Sequence, residues 1–182
     1  VRRFFLSTDQ APEASVLEKA GLKPARGWRM FRRSTTLPLP NLAKQADIRP
    51  VEPRSAQGFA RIVSDAFDLG DRARPWLESI PSAPGWHVFQ AVEGGNVAGT
   101  GALYIRDGYA WTDFGATRPE SRGRGIQKAL LAHRIKVAQS KGCHTILTCT
   151  GEAVEGEAQI SYRNIRALGF EEADLILNFA PA

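Results

Sequence analysis

Residues Ala116 to Leu131 read Ala-Thr-Arg-Pro-Glu-Ser-Arg-Gly-Arg-Gly-Ile-Gln-Lys-Ala-Leu-Leu, a strand end running through a basic, glycine-rich turn into a helix. No other stretch constrains the chain as much. A helix entered in this way offers bare backbone N–H groups and the positive end of its dipole to an anion. Gly123 and Gly125 remove the β-carbons that would hold a diphosphate away, and Arg122, Arg124 and Lys128 put positive charge into the same turn. A P-loop is ruled out because no Gly-Lys-Ser/Thr follows, and a dinucleotide fingerprint wants a glycine where Lys128 stands. A merely solvated basic helix cap is the competing reading, but it leaves the preceding strand and the amphipathic helix unexplained.

That turn also gives the formal charge of +5 a local address. A nucleic-acid binder would show a basic stripe with accessible aromatics, whereas the other arginines are scattered among acids. With 182 residues, 43% of them hydrophobic, the chain can bury one sizeable core, and one main domain is expected. Cys143 and Cys149 read as six residues apart in a single strand, too distant for a disulfide, so both are expected as reduced thiols. Three histidines without paired Cys or Cys/His spacing give no zinc site, and no metal is expected. No run approaches the ~20 apolar residues of a membrane span, and Val1 to Leu6 is too brief for a signal peptide, so a cytoplasmic location is expected.

Arg33 to Ala46, with Pro38 and Pro40 and no sustained period, reads as a linker. Before it, Phe4 to Thr8 reads as a strand, Ala14 to Ala20 as a helix closed by Gly21, and Gly27 to Arg32 as a strand. The far end repeats the order: Thr145 to Thr150, then Ser161 to Leu168 closed by Gly169, then Asp174 to Phe179. Aligned on Gly21 and Gly169, Leu17 falls opposite Ile165 and Leu22 opposite Phe170, a weak internal repeat or a coincidence of two common patterns. The division expected is residues 1–45 as a β-α-β extension with its linker, packing on the main domain or a second subunit, and residues 46–182 as the main domain.

The main domain opens with a short strand from Asp47 to Pro50. Phe59, Ile62, Val63, Ala66 and Phe67 then form one helical stripe. A shorter helix spans Arg74 to Ile80, with Trp76 expected in the core, the alternative being a pocket wall. Strands His87 to Val92, Val97 to Ile105 and Tyr109 to Thr117 are joined by Glu93-Gly94-Gly95-Asn96 and Asp107-Gly108, both hairpin signals. A long helix from about Gly123 to Lys141 turns Ile126, Leu130, Leu131, Ile135, Val137 and Ala138 inward, with Gly142 as its stop. The fold class predicted is α/β, a mixed sheet with helices on both faces.

Arg122-x-x-Gly125-x-Gln127 resembles the acetyl-CoA motif of GNAT acetyltransferases, Gln/Arg-x-x-Gly-x-Gly/Ala, with Gln127 departing from the small last residue. Thr117-x-Pro119-x-x-Arg122-Gly-Arg-Gly-x-Gln127-x-Ala-Leu-Leu is similar to a branch of the family in which glutamine is usual. Ser161 to Phe170 resembles the family's later helix with its Gly-Phe ending. The match covers about residues 47 to 179, and the first 45 resemble a detached copy of the family's final β-α-β part. The resemblance implies a GNAT-like, mostly antiparallel sheet and acetyl-CoA as acyl donor. It also implies a bulge that splays the strand before the turn and frees backbone groups of Phe114, Gly115, Ala116 and Thr117 for the pantetheine arm. Arg122, Gly123, Arg124, Gly125, Ile126, Gln127 and Lys128 would hold the pyrophosphate, and Asn164 could reach the arm.

A backbone N–H aimed at the thioester oxygen would stabilise the charge that develops as an amine attacks, and such a donor is typically worth about 3 to 4 kcal/mol. An alkyl ammonium is neutral only to roughly one part in 2,500 at pH 7, so a base or a desolvating pocket is needed. Alternation places Tyr109, Trp111, Asp113 and Gly115 on one face, with Asp113 the only carboxylate there and either a candidate base or an ordinary surface aspartate. The family's basic glutamate would fall near Tyr109, its thiolate-protonating tyrosine on Ile165 and its asparagine on Ala158. Tyr162, nearly one turn earlier than Ile165, is the substitute proton donor or a packing residue. The function expected is transfer of an acetyl group from acetyl-CoA to a primary amine, small-molecule or peptide, with an inactive acyl-CoA sensor as the alternative. The acceptor pocket is expected at the first two helices of the main domain, around Phe67 to Trp76, with the final hairpin as a further candidate wall; neither nucleic acid nor membrane is expected as a partner, and a homodimer is consistent with the exposed sheet edge.

Overall fold

The computed structural model describes residues 6–9, 11–42 and 46–181. The expectations for Phe4 and Phe5, for the last linker residues 43–45, and for the start of the chain lie outside the described residues. In chain order the elements are β1 (Leu6–Thr8), α1 (Ala11–Lys19), β2 (Leu22–Ser34), β3 (Asp47–Pro50), α2 (Ala56–Ala66), α3 (Arg74–Ser79) and β4 (Trp86–Glu93). They continue with β5 (Asn96–Arg106), β6 (Tyr109–Thr117), α4 (Ile126–Ser140), β7 (Thr145–Gly151), α5 (Ile160–Ala167) and β8 (Glu171–Pro181). From Asp47 onward the element types follow the order read from the sequence.

One eight-stranded sheet runs through the molecule in the order β1-β8-β2-β7-β6-β5-β4-β3, antiparallel at every pairing except β6 with β7. This is the mixed, mostly antiparallel sheet expected. Both central hairpins turn through residues with left-handed backbone, Gly94 and Gly95 in one and Asp107 and Gly108 in the other, as two-residue turns matched to strand twist require. α2 and α3 close one face over Phe59, Ala60, Val63, Leu77, Val88 and Ala102. α4 and α5 close the other over Phe31, Leu103, Leu130, Ile135, Ile146 and Leu168. Among the described residues no helix is long and apolar enough to cross a membrane.

The two β-α-β pieces interleave. Strands β1 and β2 of the first alternate with β8 and β7 of the second, so exchanging the pieces reverses the order β1-β8-β2-β7 into itself. Trp28 of β2 pairs with Ile176 of β8, the residue that takes its place when Gly21 is aligned on Gly169. Both glycines close their helices in the left-handed region. The repeat in sequence is therefore a local two-fold arrangement in space, centred on the β2·β8 pair.

Several expectations are corrected. The segment read as a linker begins inside β2 and is tied down where it leaves it. Arg33 is 2% exposed, and its guanidinium donates to the carbonyls of Leu168 at 2.7 Å, Ser34 at 2.7 Å and Leu37 at 2.7 Å. Thr35 donates its hydroxyl to Cys143 O, and Leu39 and Leu42 pack on the α4/α5 core. Cys143 is not in β7. It closes α4, where Gly142 N–H reaches Gln139 O and Cys143 N–H reaches Ala138 O, the paired bonds of a Schellman ending. Both cysteines are free thiols. α4 starts at Ile126 rather than Gly123, because Gly123 and Gly125 adopt left-handed backbone that an α-helix cannot contain. On α2 the stripe is buried only through Val63, and Phe67, past the helix end, stays 48% exposed. Trp76 is not in the core: it is 57% exposed, because α3 is only six residues long and buries Leu77 instead.

Candidate active site

β6 and β5 pair in register from Arg106↔Tyr109 to Ala102↔Asp113, and pairing resumes at Thr100↔Ala116. Gly101 alone therefore faces both Phe114 and Gly115, which is a β-bulge. Phe114 takes φ +49°, a conformation costly for a bulky side chain that persists only when its surroundings fix it. Three sets of contacts do so. The Asp113 carboxylate accepts the N–H of Phe114 through Oδ1 at 2.7 Å and the indole N–H of Trp111 through Oδ2 at 3.1 Å. The Phe114 ring meets Phe59, Trp76 and Trp86 at centroid distances of 6.1, 5.7 and 5.8 Å. From the other face of the sheet, Arg134 Nη1 donates to Ala102 O at 3.0 Å and Asp113 O at 3.1 Å, and Nε donates to Leu130 O at 3.1 Å.

The bulge undoes simple alternation. Phe114 lies with the α2/α3 aromatics, whereas a β-carbon on Gly115 would sit 3.5 Å from Arg134 Nη2, toward α4. Gly115 thus leaves the face that alternation assigned it together with Asp113. Beyond the bulge the sheet opens. β6 pairs with β7 only from Tyr109↔Thr145 to Trp111↔Leu147, whereas β2 pairs with β7 on its other edge along its whole length, from Ser34↔Thr145 to Trp28↔Gly151. Among the described residues the β7-facing side of Thr112 to Thr117 has no strand partner, so backbone groups of Phe114, Gly115, Ala116 and Thr117 border a wedge between two parallel strands.

The wedge points at the glycine-rich turn. Arg118 N–H bonds Ala98 O at 2.9 Å, and Pro119 to Ser121 form a short 3-10 turn. Gly123 and Gly125 follow at φ +74° and +81°, and among the described residues no atom beyond their chain neighbours lies within 4 Å of the β-carbon either would carry. α4 begins at once, without a side-chain cap for its first N–H groups. A helix start left uncapped and exposed beneath two glycines is open to an anion. Arg122, Gly123, Arg124 and Gly125 are exposed, and Lys128 is half-buried. Arg124 is drawn aside to Glu93 at 3.0 Å. Ile126 turns its side chain into the core against Gly99, so only its backbone borders the turn. Gln127 bridges two helices, its Nε2 donating to Ser161 Oγ at 3.0 Å and its Oε1 accepting from Asn164 Nδ2 at 2.6 Å. A large polar residue where the motif has a small one thus fastens α5 beside the start of α4.

Tyr162 packs edge-on against Phe31 at 5.6 Å and donates its hydroxyl to the Glu172 carboxylate, which pushes the phenol pKa up and keeps its proton on. Those partners belong to β2 and β8, not to the bulge. Cys149 of β7 lies within the electrostatic reach of Asp113. Burial first, and that carboxylate second, push its thiol up to about 11.

Sequence reading missed Arg134. It is 3% exposed, and burial lowers its pKa to about 10 while Asp113 pulls the other way, so it stays charged at neutral pH. Its signal was present, since Arg134 continues the Ile126 and Leu130 stripe at four-residue steps and faces a strand written Gly99-Thr100-Gly101. A β-carbon at Gly101 would lie 2.8 Å from the guanidinium carbon. That glycine exists to admit the arginine.

Comparison with solved structures returns this fold repeatedly. A GCN5-related N-acetyltransferase from Sphaerobacter thermophilus superimposes with a TM-score of 0.74 at 19% identity, over 98% of this chain and 58% of its own. One from Kribbella flavida gives 0.71 at 18%, over 98% and 67%. AAC(6')-Iy, solved with the bisubstrate analog CoA-S-monomethyl-acetylneamine, gives 0.58 at 24%, over 70% and 92%. The chain thus spans roughly three fifths to two thirds of the length of the first two. A comparison with curated protein sequences finds no match. The sequence model of the Acetyltransferase (GNAT) family matches residues 56–170, more than half of the chain and the whole stretch from α2 through the bulge and turn to Phe170. The chain belongs to the GNAT acetyltransferase family.

Proposed function

We propose that this protein transfers an acetyl group from acetyl-CoA to a primary amine. The observation that carries the reading is the junction of a bulged, splayed strand with an uncapped helix start under two left-handed glycines. The residues fit the donor. The N–H groups at the start of α4, with Arg122 and Lys128 beside them, suit a diphosphate, and the free edge of Phe114 to Thr117 suits an amide-bearing arm laid along it. When bound, acetyl-CoA would supply the thioester carbonyl that the amine attacks and the CoA thiolate that leaves as the C–S bond breaks, and the thiolate would take up the proton shed by the acetylated nitrogen.

The chain's own groups divide the remaining work. Backbone N–H groups past the bulge face the carbonyl, fixed there by Arg134 from beneath rather than reorganising during the reaction. Asp113 is the carboxylate at the bulge and the group to which an incoming ammonium docks and yields its proton. Tyr162 is committed to Glu172 and is given no proton-transfer role. The AAC(6')-Iy complex carries a CoA–aminoglycoside analog, which agrees with amine acceptors for this fold. A second reading, an acyl-CoA sensor without turnover, draws on the same commitment of Tyr162 and on both Asp113 oxygens being hydrogen-bonded.

Titration of wild type and Gly125→Asp with acetyl-CoA, followed by calorimetry and thermal shift, tests the donor site. Aspartate tolerates left-handed backbone better than most residues, so the variant is expected to fold while placing a carboxylate where the diphosphate sits. Micromolar binding by wild type and none by the folded variant is the expected result. A folded wild type that ignores acetyl-CoA would sink the proposal, and binding without acetylation of any amine would favour the sensor.

A further inference from the structure

The bulge opens onto an aromatic surface that the donor does not use. Three of the chain's four tryptophans converge there. Trp76 meets Phe114 at 5.7 Å, Phe114 meets Trp86 at 5.8 Å, and Trp86 meets Tyr104 at 5.2 Å. Trp111 stands opposite Tyr104 in the register of β5 and β6 and bonds Asp113 through its indole N–H. This strip leads into a cleft of about 350 Å³ lined by Tyr104, Tyr109, Ala110, Trp111 and Leu147, with Arg106 and Asp107 on its rim. The cleft begins where β6 and β7 part, at Trp111↔Leu147. Its lining reaches that last pair, so it abuts the start of the wedge.

We infer that this strip and cleft form the acceptor site, and that the acceptor is a monoamine carried on an aromatic or bulky apolar body; the inference rests on the acetyl-transfer reading above. Charge selects the single amine. Arg106 and Asp107 on the rim neutralise each other at 3.2 Å, which leaves Asp113, at the bulge, as the carboxylate offered to the amine among the described residues that form the strip and cleft. A polycation such as a polyamine would need several acids along its path. The aromatic walls supply the rest, because an alkyl ammonium and a flat hydrocarbon body are both attracted to indole and phenol faces. Trp76, exposed on α3 and edge-on to Phe114, closes the strip over the bulge without being part of the core. With the ammonium on Asp113, the body of such an amine lies along Trp111 and Tyr104.

The test uses wild type and Trp76→Ala, whose exposed side chain can be removed without opening the core. Binding of 2-phenylethylamine is read from quenching of tryptophan fluorescence without donor, and turnover is compared for 2-phenylethylamine and spermidine at saturating acetyl-CoA. The expected result is saturable quenching, a kcat/KM for 2-phenylethylamine at least about tenfold above that for spermidine, and in Trp76→Ala a KM for 2-phenylethylamine raised about tenfold, by a larger factor than any fall in kcat. Preference for spermidine, or a KM indifferent to Trp76, overturns the inference while leaving acetyl-CoA binding intact. Failure of acetyl-CoA to bind in the separate titration marks the failure of the underlying reading, and the inference falls with it.

Discussion

Arg134 Nη1 donates to the backbone carbonyl of Asp113 at 3.1 Å, from the face of the sheet opposite the Asp113 carboxylate. The two residues clamp the bulge between them. Asp113 holds the N–H of Phe114 on one face, and Arg134 holds the carbonyl just before it on the other. A buried arginine is expensive to desolvate, and here the cost is offset by three main-chain carbonyls that accept from its guanidinium.

Arg134→Met keeps much of the volume and removes those three hydrogen bonds, so it is expected to destabilise the fold by about 2 to 4 kcal/mol in urea unfolding. Gly101→Ala attacks the same contact from the strand, driving a methyl to within 2.8 Å of the guanidinium carbon, at about 1 to 3 kcal/mol. Combining Gly101→Ala with Arg134→Ala should cost clearly less than the sum of the single changes, because the methyl then enters vacated space. Strict additivity would mean that the glycine and the arginine are not partners.

Gln127 is expected to act as a strut between helices rather than as a direct ligand. Gln127→Ala leaves Ser161 and Asn164 without partners at the α4–α5 contact and should lower stability by about 1 kcal/mol. Asn164→Ala should do the same, and the double variant little more. If Gln127→Ala instead abolished acetyl-CoA binding at unchanged stability, the side chain would be contacting the donor itself.

Most of this architecture could be read from the sequence where a local signal coincided with its tertiary role. The Asp107-Gly108 turn, the Gly142 stop and the β6 span needed only neighbours in the chain. The glycine-rich turn was equally legible, since Gly123 and Gly125 have left-handed backbone whatever packs nearby. What escaped was set by distant partners. Arg33 read as linker because its acceptors at Leu168 and Leu37 come from a remote helix end and the turn beyond β2. Trp76 read as core because its hydrophobicity was visible and the shortness of α3 was not. The face of Gly115 was misplaced because one inserted residue at Phe114 reverses every parity after it.

Mild acid should loosen the fold through two histidines. His87 is held below the ordinary histidine range by burial and then by Lys141; His133 is lowered by burial, then by Lys136 and Arg134. In the unfolded chain both take up protons near pH ~6.5, whereas the folded sites resist until lower pH. Below that value the unfolded state binds more protons, so stability falls as pH drops and levels off once the folded sites also titrate. Melting temperature is expected to decline from pH 7 to pH 5, less steeply in His87→Gln/His133→Gln. An unchanged slope in that variant would place the acid sensitivity elsewhere.

The strand that completes the sheet comes from the start of the chain. β2 lies between β7 and β8 and pairs with both, and Phe31 on it is fully buried in the α4/α5 core against Tyr162 and its neighbours. Without β2, one edge of β7 and one of β8 would lose their hydrogen bonds together, and Arg33 would no longer occupy Leu168 O at the end of α5. A chain beginning at residue 46 is therefore expected to aggregate or to lack a cooperative thermal transition, although it retains the whole of the span that the family model matches. Adding residues 1–45 as a separate peptide should restore some soluble, cooperatively melting protein, because an exposed strand slot is a template for the strand that fits it. A stable, acetyl-CoA-binding 46–182 fragment would show instead that β2 is an accessory to a domain able to close its own sheet.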